Sequence, residues 1–168
     1  MRQGVGTLDV FTFKAGVLAV AAHDLHLRLP EFSVELEGEA LRAELPLERL
    51  RLLGPVEGGV TRAGRYSAEQ VAQIESAMRG EILRVEEHPI ARFTGRAVEA
   101  QNGWDVEGTL ALAGAEAPLR WRLEREGDRY AGGFELRPSR WGIREYRAML
   151  GTIRLQDRVR IALSVRET

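Results

Sequence analysis

From Val85 to Glu124 the chain alternates apolar and polar residues in two-residue steps, predicting three antiparallel strands joined by two turns. In the third, Leu119, Trp121 and Leu123 share one face, while Arg120, Arg122 and Glu124 share the other. In the second, Trp104, Val106, Gly108, Leu110 and Leu112 oppose Asp105, Glu107 and Thr109. Asn102-Gly103 is a hairpin dipeptide, and Gly114 to Pro118 supplies the next turn. His88-Pro89 breaks what precedes it, so the first strand of the three begins at Ile90.

The same period predicts strands elsewhere. Thr7–Lys14 carries Leu8 and Val10 on one parity and Phe11 and Phe13 on the other, which leaves its inward face open. Val17–Leu29 is a long strand with Leu25, Leu27 and Leu29 on one side and His26 and Arg28 on the wet side. Pro30-Glu31 is expected to turn the chain into Phe32–Glu37, and Leu41–Leu47 follows. Asp128–Arg137 aligns Tyr130, Gly132, Phe134 and Leu136, and a last strand aligns Val159, Ile161, Leu163 and Val165. Ser139–Gly151 reads as irregular, as does Leu52–Arg65, whose four glycines suggest a mobile connection or a gate.

One segment changes period. Val71, Ile74, Met78 and Ile82 form a single apolar stripe behind Ser67, whose spacing to Gln70 is that of a capping box. The resulting helix, near residues 67–83, suits a position over the end or side of a sheet, with Glu75 and Arg79 paired on its wet side. Eight or nine strands and one helix predict an all-β fold with one flanking helix. A twisted sheet of that size closes, so the architecture expected is an antiparallel, lipocalin-like β-barrel of about eight strands, with a sandwich as the competing arrangement. Glycines at 95, 108, 132 and 133 fall inside strands and permit sharp coiling.

Composition narrows the function. A chain of 168 residues is most simply one domain, burying roughly 70% of its unfolded surface. The net charge of -1 argues against a nucleic-acid partner. With no cysteine there is neither a disulfide framework nor a thiolate site. Twenty-three of the 24 basic residues are Arg, a bias that carries no functional message here. Ala15–Ala22 is apolar and ends in small residues, but Asp9 and two phenylalanines replace the basic start of a leader, so a buried strand and a cytoplasmic location are expected.

Four segments resemble the YceI-like family, small lipocalin-like barrels described as polyisoprenoid-binding. They are His88-Pro-Ile-Ala-Arg-Phe93, Gly108–Gly114 with Ala117-Pro118-Leu119, Ser139-Arg-Trp-Gly-Ile143, and Gly16–Leu29 with its Ala22-His-Asp-Leu25. They follow the family order over most of the chain. Arg140 stands where the family pattern has an acid before its aromatic-Gly-Ile step. The resemblance implies an apolar interior that holds an isoprenoid tail, and no catalytic machinery.

The expected ligand is therefore a long apolar small molecule (an isoprenoid, an isoprenoid quinone or a similar lipid), bound without a cofactor, a metal or nucleic acid. Transient membrane contact and a homodimer are compatible with this reading. The residues expected to line the site are Phe93, Trp104, Leu110, Trp121, Tyr130 and Phe134, with Leu25 and Leu27, and with Phe11 and Phe13 if their face turns inward. Glycines 108 and 132 would leave space among them. His23 shares parity with the leucines of its strand and is expected inside, buried and offering a polar contact to a head group or finding a backbone carbonyl. Asp24, one residue on, should face away, which undercuts a His–Asp dyad. Arg140 and Arg144, around Trp141-Gly-Ile143, are candidates for a phosphate or carboxylate. Burying some 20 apolar carbons is worth ~16 kcal/mol against water but almost nothing against a membrane, so a carrier needs head-group contacts as well. Two other readings compete. A small hydrolase or isomerase would use His23, and a self-filled barrel would act as a stress-associated interaction module.

Overall fold

The computed structural model describes residues 1–15, 23–145, 147–148 and 153–168. Its strands are β1 (Arg2–Ala15), β2 (Asp24–Glu37), β3 (Ala40–Pro46), β4 (Arg51–Glu57), β5 (Val60–Thr61), β6 (Ile90–Ala100), β7 (Gly103–Leu112), β8 (Ala115–Glu126), β9 (Arg129–Leu136), β10 (Arg147–Ala148) and β11 (Ile153–Glu167). Eight of them close a ring in the order β1-β11-β9-β8-β7-β6-β3-β2, and β2 returns to β1. Every pairing in the ring is antiparallel. The all-β barrel with one flanking helix is thus the fold, and no sandwich forms.

The meander expected from Val85 to Glu124 is β6–β7–β8, in register from Arg92↔Ala111 and Trp104↔Leu123 outward. Its second turn is tighter than expected. Ala113 and Gly114 both take positive φ, of 50° and 84°, so the chain reverses over two residues. Pro118 therefore lies within β8, opposite Thr109, rather than in the turn.

Pro30-Glu31 is likewise no turn. β2 runs through both residues, and its register against β1 shifts between Gly6↔Phe32 and Leu8↔Leu29. Proline has no N–H to give the ladder, and a bulge is where a strand tolerates it. The Thr7 hydroxyl donates to the Pro30 carbonyl at 3.1 Å across this bulge.

Leu52–Arg65, expected to be irregular, instead forms the β4–β5 hairpin. β4 pairs with the first half of β2 while β3 pairs with its second half, so the two behave as one strand interrupted at Leu47–Arg49. The strand expected over Val17–Leu29 is described from Asp24, and its earlier residues through Ala22 lie outside the described residues.

α1 (Ala68–Ala77) continues into a π-helical turn, Met78–Ile82. Ser67 and Gln70 form the capping box, with the Gln70 amide donating to Ser67 Oγ at 3.2 Å and the Ser67 amide to Gln70 Oε1 at 2.9 Å. The helix lies across one end of the barrel with Val71, Ile74 and Met78 against the core. Glu75 accepts from the Leu52 amide at 2.9 Å and from Arg79 at 2.9 Å, which pins the helix to β4.

Gly108 and Gly132 are close backbone approaches and not gaps in the lining. A Cβ at Gly132 would lie 2.2 Å from the Arg122 carbonyl oxygen, and one at Gly108 2.4 Å from that of Thr94. Gly132→Leu is accordingly expected to destabilise the barrel by about 1–3 kcal/mol through overpacking, read as a lower denaturant midpoint. An unchanged midpoint would place the side chain in free space after all.

Candidate functional site: an apolar cavity inside the barrel

Each wall strand sends alternate residues inward, and the inward set is almost wholly apolar. Leu8 and Val10 of β1, Leu25, Leu27 and Leu29 of β2, Phe93 of β6, Trp104 and Leu110 of β7, Trp121 and Leu123 of β8, Tyr130 and Phe134 of β9 and Ile161 of β11 all face a common space. They do not fill it. A cavity of about 750 Å³ remains, within the range that small-molecule sites occupy. Partial exposure of Leu8, Leu25, Leu110 and Trp121, in an otherwise buried wall, is exposure to this cavity. The self-filled barrel does not describe this interior.

Aromatic rings form one side of the wall. Trp121 stacks edge-on to Phe93 with centroids 4.8 Å apart and tilts over Phe134 at 5.1 Å. Its Nε1 is buried without a hydrogen-bond partner among the described residues. Trp104 meets Tyr130 at 6.3 Å near the far end, where Arg2 lies 5.7 Å over Trp104 and bridges to Glu167 at 3.3 Å. Polar lining residues gather at the opposite end, beneath α1. They include His23, Tyr66, Gln70, Gln73, Arg144, Glu145, Gln156 and Asp157. Burial and the negative charge of Glu57 push the Tyr66 hydroxyl up from its ordinary range, so it stays protonated.

His23 lines the cavity on the parity expected of it, but it is half-buried and makes no hydrogen bond among the described residues. Its ring stands 6.2 Å from that of Tyr66. Asp24 accepts from the Lys14 amide at 2.8 Å, so it belongs to the strand-end scaffold and forms no dyad with His23. Among the described residues no group of three His, Asp or Glu could hold a metal.

Four expected site residues lie elsewhere. Phe11 and Phe13 point outward, where Arg160 and Arg158 cover their rings at 4.4 and 4.2 Å. Leu8 and Val10 take the inward parity because they pair with Leu29 and Leu27, whose face is already committed to the core. Trp141 is 1% exposed, but in a satellite cluster with Ala113, Ala117 and Ile143, and its Nε1 donates to the Leu110 carbonyl at 2.8 Å. It braces the wall from behind. Arg140 is exposed, 6.0 Å from the Trp141 ring, and does not line the cavity, so it is not placed to hold a phosphate there.

A polar cluster that the sequence pattern did not single out sits on the outer wall. His26 is 7% exposed although it faces away from the cavity, because the β4–β5 hairpin folds over it and Phe11 stacks on its ring at 4.3 Å. Its Nε2–H donates to Asp9 Oδ1 at 2.6 Å, and its Nδ1 lies 2.7 Å from the Thr61 hydroxyl. Arg28 donates to both oxygens of Asp9, at 2.7 and 3.2 Å. Burial opposes ionisation of Asp9, but the hydrogen bonds from Arg28 and His26, and their charges, outweigh it and hold the carboxyl below the usual range. Alternation alone marks residue 26 as wet. Only the pairing of His26 with Gly54 reveals its cover.

The model of the YceI-like domain matches residues 12–166 of the chain. No curated protein sequence matches it. Among solved structures, a polyisoprenoid-binding domain from Saccharophagus degradans implicated in plant cell wall breakdown superposes with a TM-score of 0.65 at 11% identity, over 98% of this chain and 97% of that one. Burkholderia cenocepacia BcnA superposes with a TM-score of 0.62 at 12% identity, over 95% and 94% of the two chains. At these identities the likeness is one of fold.

Proposed function

The chain belongs to the YceI-like family, and from that membership and its unfilled interior we propose that it binds a long apolar molecule, an isoprenoid or an isoprenoid quinone, inside the barrel without transforming it. The observation that carries the reading is the apolar cavity of about 750 Å³. A wall of leucines, valines and aromatic rings offers a hydrocarbon tail dispersion contacts and no hydrogen bonds it cannot use. Among the described residues His23 has no carboxylate or hydroxyl nucleophile bonded to it, which favours binding over hydrolysis or isomerisation.

A tail drawn from a bilayer gains little from apolar burial alone, since lipid is as apolar as the barrel. Exchange therefore calls for contacts to the head group and for brief contact of the α1 end with a lipid surface. Native mass spectrometry of protein purified from its own host, followed by lipid extraction, tests the reading. The expected result is a bound mass that denaturation releases as an isoprenoid. Protein that carries no lipid, and that also fails to take up a fluorescent polyprenyl probe, would refute it.

A further inference from the structure

The cavity has a capacity and a polarity, and the two together describe its occupant more closely than the family does. At ~30 Å³ for each methylene-sized group, water's share of its own liquid, 750 Å³ holds about 25 carbons, or about five isoprene units. The far end carries the Arg2–Glu167 pair lying over Trp104, two groups already committed to each other, whereas most of the polar lining residues gather at the α1 end.

There His23, Tyr66 and Gln73 come from three different segments: the approach to β2, the approach to α1, and α1 itself. None of the three side chains makes a hydrogen bond among the described residues. Each can donate and accept, as a hydroxyl or carbonyl head requires. Among the described residues, the charge at this end disfavours a phosphate. Arg144 is the one cationic side chain among the described lining residues there, and Glu145 and Asp157 share the same wall. Asp157 already accepts from the amide and hydroxyl of Ser139. A phosphate would bring roughly two negative charges to a rim where, among the described lining residues, Arg144 stands beside the carboxylates of Glu145 and Asp157.

We propose that the cavity selects an isoprenoid of about five units with an uncharged hydroxyl- or carbonyl-bearing head, held by His23, Tyr66 and Gln73. This specificity rests on the binding function proposed above. Competition against a fluorescent prenyl probe tests it, with geranylgeraniol, geranylgeranyl diphosphate, the nine-unit solanesol and the hydrocarbon phytane as competitors. Geranylgeraniol is expected to bind at least about tenfold more tightly than its diphosphate, and solanesol no more tightly than geranylgeraniol. The double variant Tyr66→Phe/Gln73→Leu is expected to weaken geranylgeraniol about tenfold, the worth of two neutral hydrogen bonds, and to leave phytane unchanged. A diphosphate that binds as well as the alcohol, a solanesol that binds tenfold better, or a variant that loses both ligands alike overturns the specificity while the carrier reading stands. If no competitor displaces the probe, or the probe itself does not bind, the carrier reading falls and the specificity with it.

Discussion

Replacing Ala43 with tryptophan is expected to lower the affinity for a polyprenyl probe by about a thousandfold while the barrel stays folded. Ala43 sits at the middle of β3, paired with Val34 on one side and Phe93 on the other, and its methyl group faces the cavity. An indole there projects into empty space, so it avoids the 1–3 kcal/mol that overpacking a filled core costs. It displaces ligand instead. Excluding one isoprene unit forfeits about 4 kcal/mol at ~0.8 kcal/mol per carbon, close to three orders of magnitude in Kd. Probe titration paired with a thermal melt makes the measurement. A folded variant that still binds with native affinity would place the ligand outside the barrel.

Asp9→Ala should have the largest effect on stability, at about 3 kcal/mol. The carboxylate holds three charge-assisted or polar hydrogen bonds, two from Arg28 and one from His26, and its side chain is only 20% exposed. Its removal strands a guanidinium and a nearly buried imidazole, and a lost bond to a charged group is worth ~1.5–3 kcal/mol. His26 also reaches Thr61, so the β4–β5 hairpin loosens with it. For a chain of this length the melting temperature should fall by about 6–12 °C. The pH dependence has a definite sign. Because the folded carboxyl titrates below its unfolded value of ~3.9, its contribution is complete above that pH and disappears as pH falls through the lowered folded value. The gap between native protein and variant should thus be constant near neutrality and close in strong acid. A gap that widened below pH ~4 would contradict this account of the cluster.

The two substitutions separate what local pattern can and cannot specify. Alternation assigns residues to faces, and it placed Leu25, Leu27, Phe93, Trp104, Leu110, Trp121, Tyr130 and Phe134 on one common surface, the surface that lines the cavity. The Ser67–Gln70 spacing located the helix start, since a cap is settled within four residues. A sheet of that many strands with coiling glycines had little choice but to close, so the barrel itself was determined by the sequence. What pattern could not decide was which face of β1 turns inward, because Leu8 and Val10 compete with Phe11 and Phe13 on equal apolar terms. Pairing with β2 and β11 settled it, and partners 17 to 21 residues away or at the other end of the chain leave no trace in local periodicity. The same limit hid His26, which is wet by parity and dry only because a hairpin folds over it. It also hid the bulge at Pro30-Glu31, where the ladder absorbs a proline that looks from the sequence like a stop. Sequence determines the faces of each strand through short-range steric and solvation preferences. Tertiary structure decides what each face meets, because register and cover are properties of two segments at once.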